Sequence, residues 1–129
     1  MSWHTIKRDA ADDAFSEWVR IRDKVCQKCG KPGYGEKGIT GLDASHWRGR
    51  GKEGTRFEPL NVDALCRPDH KWFGEHKTEH DAWQVERKGK EITDKLILQA
   101  HTYCEKNREA EKLYWRLQLT KGTYDKTSI

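Results

Sequence analysis

The sequence predicts an α+β fold: a helix at each end of the chain, with a short strand, loops and a cysteine cluster between them. Three observations carry that expectation. Apolar residues recur at helical spacing over Asp9–Val25 and again over Ile92–Leu119. Between those stretches the chain is glycine-rich and its apolar runs are short. The apolar stock is also thin. Leu, Ile, Val and Phe make up 21 of 129 residues, about 16%, below the rough 20% under which chains tend to disorder. The net charge of +4, from 25 Lys+Arg against 21 Asp+Glu, argues against disorder. A chain of this kind calls for a staple such as a metal or disulfides.

The first helix is expected over residues 9–25, with Ala11, Ala14, Phe15, Trp18, Val19, Ile21 and Val25 on its stripe. Asp9, Asp12 and Asp13 stand at its N-terminal end, where the helix dipole favours carboxylates. Cys26-Gln27-Lys28-Cys29-Gly30 follows at once. Lys31–Gly41 holds four glycines and a proline and reads as a loop or loose hairpin. Ile39–Trp47 reads as a strand ending near His46. Arg48–Arg56 is glycine-rich and basic, with Arg48, Arg50, Lys52 and Arg56 against Glu53. Phe57–Leu65 leads into Cys66. Pro68 suits the first turn of a helix that could run from His70 to about Glu86, with Gly89 as its breaker. One long final helix is expected over residues 90–121, with Gly122 as its stop.

The length fits a single domain over residues 1–129 and excludes a second, separate cofactor fold. No apolar run approaches the ~20 residues of a membrane span, and Met1–Ala10 has nothing like a signal peptide's hydrophobic stretch. A soluble, cytoplasmic protein is expected. In a reducing compartment, close cysteine pairs read as metal ligands.

Cys26-x-x-Cys29 turns two sulfurs toward one point, and Cys66 is the natural third ligand, 36 residues further on. Zinc takes four ligands tetrahedrally. A second knuckle would end at position 69, which is Asp69, followed by His70. The set is therefore Cys26, Cys29, Cys66 and Asp69, or the same cysteines with His70; otherwise the cysteines are small buried hydrophobes. Cys104, within the final helix, is expected in the core. His76 and His80 share a helical face and are expected in solvent. Trp47, Trp72, Trp83 and Trp115 are expected in the core.

Ala44-Ser45-His46-Trp47, Arg48, Arg56, Asn61-Val62-Asp63-Ala64-Leu65-Cys66 and His70, nested within the cysteine spacing, resemble the HNH endonucleases. The closest likeness is to the phage-borne recombination endonucleases of the NinG/Rap type, over roughly Asp12–Gly89. The resemblance implies a ββα-metal core with a zinc knuckle over residues 26–88, flanked by the two terminal helices. It implies His46 as general base, Asn61 fixing the turn or the metal shell, and His70 holding a divalent ion, Mg²⁺ or Mn²⁺. Arg48, Arg50, Lys52 and Arg56 would hold DNA phosphates. Many family members carry Asp or His directly before the base. Here that residue is Ser45, and Asp43, two residues back on the same strand face, is the substitute ligand.

The implied activity is metal-dependent hydrolysis of double-stranded or branched DNA in a bacterial cytoplasm, by a phage or prophage protein. A homodimer through the final helix would suit a junction. The competing readings are a zinc-knuckle DNA-binding module without chemistry, and an interaction protein that docks a partner on the final helix.

Overall fold

The computed structural model describes residues 7–33 and 41–128, with side chains to residue 121. Among these residues the fold is α+β: six α-helices and one antiparallel pair of strands. Helix α1 spans Ala10–Asp23 and strand β1 Leu42–His46. A one-turn α2 (Glu53–Arg56) and a 3-10 turn (Pro59–Asn61) lead into β2 (Val62–Cys66). Four helices follow: α3 (Arg67–Glu75), α4 (Lys77–Lys88), α5 (Lys90–Ala100) and α6 (Arg108–Ser128). The strand predicted from Ile39 begins at Leu42; Ile39 and most of the predicted 31–41 loop lie outside the described residues.

α1 forms where its aspartates predict. Asp9 caps it by accepting from the Asp12 amide at 3.0 Å, while Asp12 accepts from the Asp9 amide at 2.9 Å, a reciprocal capping box. Lys24 ends it in the left-handed conformation, φ 65°. Phe15 and Val19 bury against Leu42, Val62, Leu65, Phe73 and Trp115, so one core joins α1, both strands, α3 and α6.

β1 and β2 pair in a register that sets Asp43 opposite Leu65 and His46 opposite Val62. β2 is buried along its whole length, and its second edge is closed by the end of α1 and the cysteine turn. The Gln27 amide donates to the Ala64 carbonyl, and the Ala64 amide donates to Asp23, both at 2.9 Å. Arg22 donates to the carbonyls of Pro59 and Val62. No strand edge of β2 is left for a stray partner.

Two long helices expected from periodicity are each broken. The 70–86 helix is α3 and α4, separated at His76, whose Nδ1 meets the Trp72 carbonyl at 2.8 Å. The turn lays the His80 ring on Phe73, centroids 4.4 Å apart, so His80 is buried and not solvated. The predicted 90–121 helix is α5 and α6, with an irregular segment over residues 101–107. Asn107 starts the second one by accepting from the Ala110 amide. The break lets α6 return along α1, where Trp115 buries on Phe15 and Trp18. Cys104 falls in the break and is exposed, not core. Gly122 lies inside α6 and does not stop it. Trp47 and Trp115 are buried as expected, while Trp72 is 40% exposed.

Across the core from the sheet, Arg56 donates Nε to Asp12 Oδ1 at 2.8 Å, and both side chains are almost wholly buried. Its remaining donors reach the carbonyls of Arg50 and Lys7. Removing one partner of such a pair strands a buried charge. Asp12→Asn should cost about 3–5 kcal/mol of unfolding free energy, read by denaturant titration, whereas Asp13→Asn on the exposed side should cost under about 0.5 kcal/mol.

Candidate metal centre and active-site cleft

Two separate constellations draw on the strands and on α3. The first is the cysteine cluster. The turn after α1 is closed by the Cys26 amide donating to Lys31 at 2.7 Å and the Gly30 amide donating to Cys26 at 2.8 Å, with Gly30 at φ 79°. Cys66 ends β2 and caps α3, so Asp69 sits in that helix's first turn.

The ligand atoms of Cys26, Cys29, Cys66 and Asp69 all lie within 4.8 Å of one another. Cys29 Sγ and Cys66 Sγ are 3.8 Å apart, and Asp69 Oδ2 is 3.2 Å from Cys26 Sγ and from Cys66 Sγ. Two sulfurs each about 2.3 Å from a tetrahedral ion would lie about 3.8 Å apart. The four residues could therefore hold a metal such as zinc. Of the two ligand sets open from sequence, the structure brings together the one with Asp69, while His70 meets Asp43 instead.

Burial pushes the Cys66 thiol up to about 12. Burial also pushes the Asp69 carboxyl up, but the Cys66, Cys29 and Cys26 thiols that donate to it win and hold it below the usual carboxylate range. Metal uptake at such a cluster displaces thiol protons and is weakened by acid.

The second constellation lines a cleft of about 770 Å³ between α1 on one side and β1 with the start of α3 on the other. His46, His70 and Asp43 all face it. His46 Nε2 lies 2.9 Å from the Arg56 carbonyl. A carbonyl only accepts, so Nε2 carries the proton and Nδ1 keeps a lone pair. Burial lowers His46 to about 4 from 6.5, the Arg50 charge adds to this, and the hydrogen bond to Arg56 offsets only part of it. The imidazole is neutral at pH 7. His70 Nδ1 is 3.0 Å from Asp43 Oδ2, and Arg67 approaches the other oxygen, Asp43 Oδ1, at 3.4 Å.

The other predicted residues separate. Asn61 is fully buried away from the cleft: it accepts from the Arg48 amide at 2.8 Å and donates to the carbonyls of Arg48 and Thr55. Both ends of its amide hold the Arg48–Arg56 loop, and Asn61 does not line the cleft. Arg56 is buried on Asp12 and does not line the cleft. Arg48 lies over the Trp47 ring and reaches Asp81 at 3.3 Å. Lys52 is exposed, and of the four basic candidates Arg50 alone lines the cleft.

Three cleft arginines were not predicted from sequence: Arg8, Arg20 and Arg67. A signal existed for one of them, since Asp12, Ser16 and Arg20 follow a four-residue spacing along α1. Comparison of the chain with protein-family models, with curated proteins and with solved structures returns no match. Among the described residues no helix is long and apolar enough to cross a membrane.

Metal removal probes the cysteine cluster. The chain is expected to take up one equivalent of Zn²⁺ or Co²⁺, Co²⁺ giving a thiolate charge-transfer band, and to lose melting temperature on chelation. Asp69→Ala should weaken uptake at least about tenfold, as loss of one of four ligands requires. An unchanged metal affinity in Asp69→Ala would remove Asp69 from the set.

Proposed function

We propose that the cleft is the active site of a divalent-metal-dependent DNA endonuclease of HNH type, and that the cysteine cluster holds a structural Zn²⁺. The observation that carries this reading is the convergence of His46 and the His70–Asp43 pair on one cleft walled by arginines. The order β1, β2, α3, with a base candidate ending the first strand and a ligand in the helix, is the order that the resemblance implies.

Asp43 and His70 offer one oxygen and one nitrogen side by side. Mg²⁺ usually takes only one or two protein ligands and completes its shell with water and phosphate oxygens, and an imidazole suits Mn²⁺. The donor set fits, and Asp43 and His70 would hold the ion. When bound, that ion supplies a Lewis acid for the phosphoryl oxygen and the leaving oxygen.

His46 supplies the base. Its Nδ1 takes a proton from a water whose oxygen attacks phosphorus, while the phosphorus–oxygen bond opposite breaks and the leaving oxygen is reprotonated from solvent. The Arg56 carbonyl holds the ring in the tautomer that this step needs. As the proton arrives on Nδ1, both ring nitrogens become donors, and the bond to Arg56 is kept. Arg50 and Arg67 place guanidinium groups in the cleft where phosphate charge builds. Asn61 and the Asp12–Arg56 pair keep the 48–56 loop, and through it His46, in place.

A DNA-binding module without chemistry uses the same arginines, and cleavage separates the two readings. Nicking of supercoiled plasmid with Mg²⁺ or Mn²⁺ is expected, with a loss of about 10²–10⁴-fold in His46→Ala. Equal cleavage by wild type and His46→Ala would remove the base assignment. The pH profile follows from the sign of the His46 shift. A base lowered to about 4 is unprotonated throughout the neutral range, so His46 should impose no fall in rate from about pH 8 to about pH 5. An unperturbed histidine would impose one near 6.5.

A further inference from the structure

We propose that α1, an element outside the strand–strand–helix unit, is the second wall of the substrate track, and that Arg8 and Arg20 hold DNA phosphates on either side of the scissile one. This rests on the nuclease reading for the identity of the polyanion, but not for the wall itself.

Asp12, Ser16 and Arg20 follow at four-residue spacing along one face of α1, and Arg8, just before the extended N-cap Asp9, lines the same cleft. Charge along this wall is sorted. At its middle, Asp12 is neutralised by buried Arg56, and Ser16 is small and uncharged. At its two ends stand guanidinium groups. The acidic residues of the same helix are turned elsewhere: Asp13 and Glu17 line a shallow depression with Arg116 and Leu119. Arg8 makes one exposed ion pair, with Asp13, of a kind worth little in water and readily exchanged for a phosphate.

Across the cleft stand His46, His70 and Asp43, with Arg50 and Arg67 beside them. Four arginines and two aspartates line the cleft; Asp12 is held by buried Arg56, Asp43 meets Arg67, Arg8 meets Asp13, and Arg20 donates to the Ser16 carbonyl. From Ala10 to Arg20 the helix axis advances about 15 Å at 1.5 Å per residue. That equals about four backbone steps of a DNA strand at 3.4 Å each. A strand running along α1 would set its outer phosphates on Arg8 and Arg20 and an inner one against His46. The occupant this arrangement selects is an extended chain of phosphodiesters, since a lone phosphate would leave the ends of the wall unused.

The test measures binding of a fluorescein-labelled 20-base-pair duplex to the full-length, zinc-loaded chain. No Mg²⁺ or Mn²⁺ is added, so binding is read apart from cleavage, across a series of salt concentrations. Arg8→Gln and Arg20→Gln are each expected to flatten the slope of log K against log salt by about 0.9 and to weaken binding about eightfold at 0.1 M salt. Arg8→Lys should keep the slope, because the charge remains. Lys106→Gln, which removes an exposed charge in the 101–107 segment, should leave it unchanged. Circular dichroism establishes that each variant is folded, and Arg8 precedes the helix, so its replacement leaves the core intact.

Wild-type slopes in Arg8→Gln and Arg20→Gln would overturn the proposal. So would an equal flattening in Lys106→Gln, or failure of the wild type to bind the duplex at low salt. Duplex bound with the expected losses but left uncut when Mg²⁺ or Mn²⁺ is added would sink the nuclease reading and leave the wall standing.

Discussion

One buried guanidinium holds the two halves of this protein in register. Arg56 closes on Asp12 of α1, ties down the carbonyls of Lys7 and Arg50, and presents its own carbonyl to His46. Together these links fix the distance between the helix that walls the cleft and the strand that carries His46. The guanidinium suits this task because its planar fork can serve a carboxylate and two carbonyls at once, where an ammonium would offer a single point of charge. The arrangement also explains why a basic residue in a basic loop is turned away from solvent: its charge is needed inside.

The second dependence is on the cysteine cluster. The apolar core is small, and it is drawn from short segments of α1, two five-residue strands, α3 and α6. Cys26, Cys29, Cys66 and Asp69 connect the end of α1, the end of β2 and the start of α3, the same three elements whose ends frame the sheet. A metal such as zinc there would act as a covalent-strength tie at the point where the core has least to offer. The cysteine cluster shares no residue with the cleft lining.

Much of this was legible in the chain. The capping aspartates located α1 to within a residue at its start, and the cysteine spacing located the cluster. The resemblance carried by His46, Asn61 and His70 implied one shared site for the two rings, and both line the cleft. What escaped had physical reasons. Helical periodicity runs on through both breaks, because α3 with α4 and α5 with α6 each keep an apolar stripe; the break at 101–107 is visible only in Asn107 as a cap. His80 looked solvated because its burial comes from Phe73 across a turn that no local signal announces. Asn61 looked like a ligand because its residue type suits one, whereas its partners, two carbonyls and an amide of the 48–56 loop, exist only once that loop is folded. Arg8 and Arg20 were hidden by the aspartates between them, which made the stretch read as an ordinary mixed-charge helix.

The central claim is that His46 and His70 share one cation-binding cleft distinct from the cysteine cluster. Paramagnetic broadening tests it most directly. Histidine ring resonances of the zinc-loaded protein would be followed as substoichiometric Mn²⁺ is added. The account predicts that His70 broadens first and His46 with it, while buried His80, on the far side of Phe73, stays sharp. Broadening confined to other histidines, or none at His70 at millimolar Mn²⁺, would contradict it.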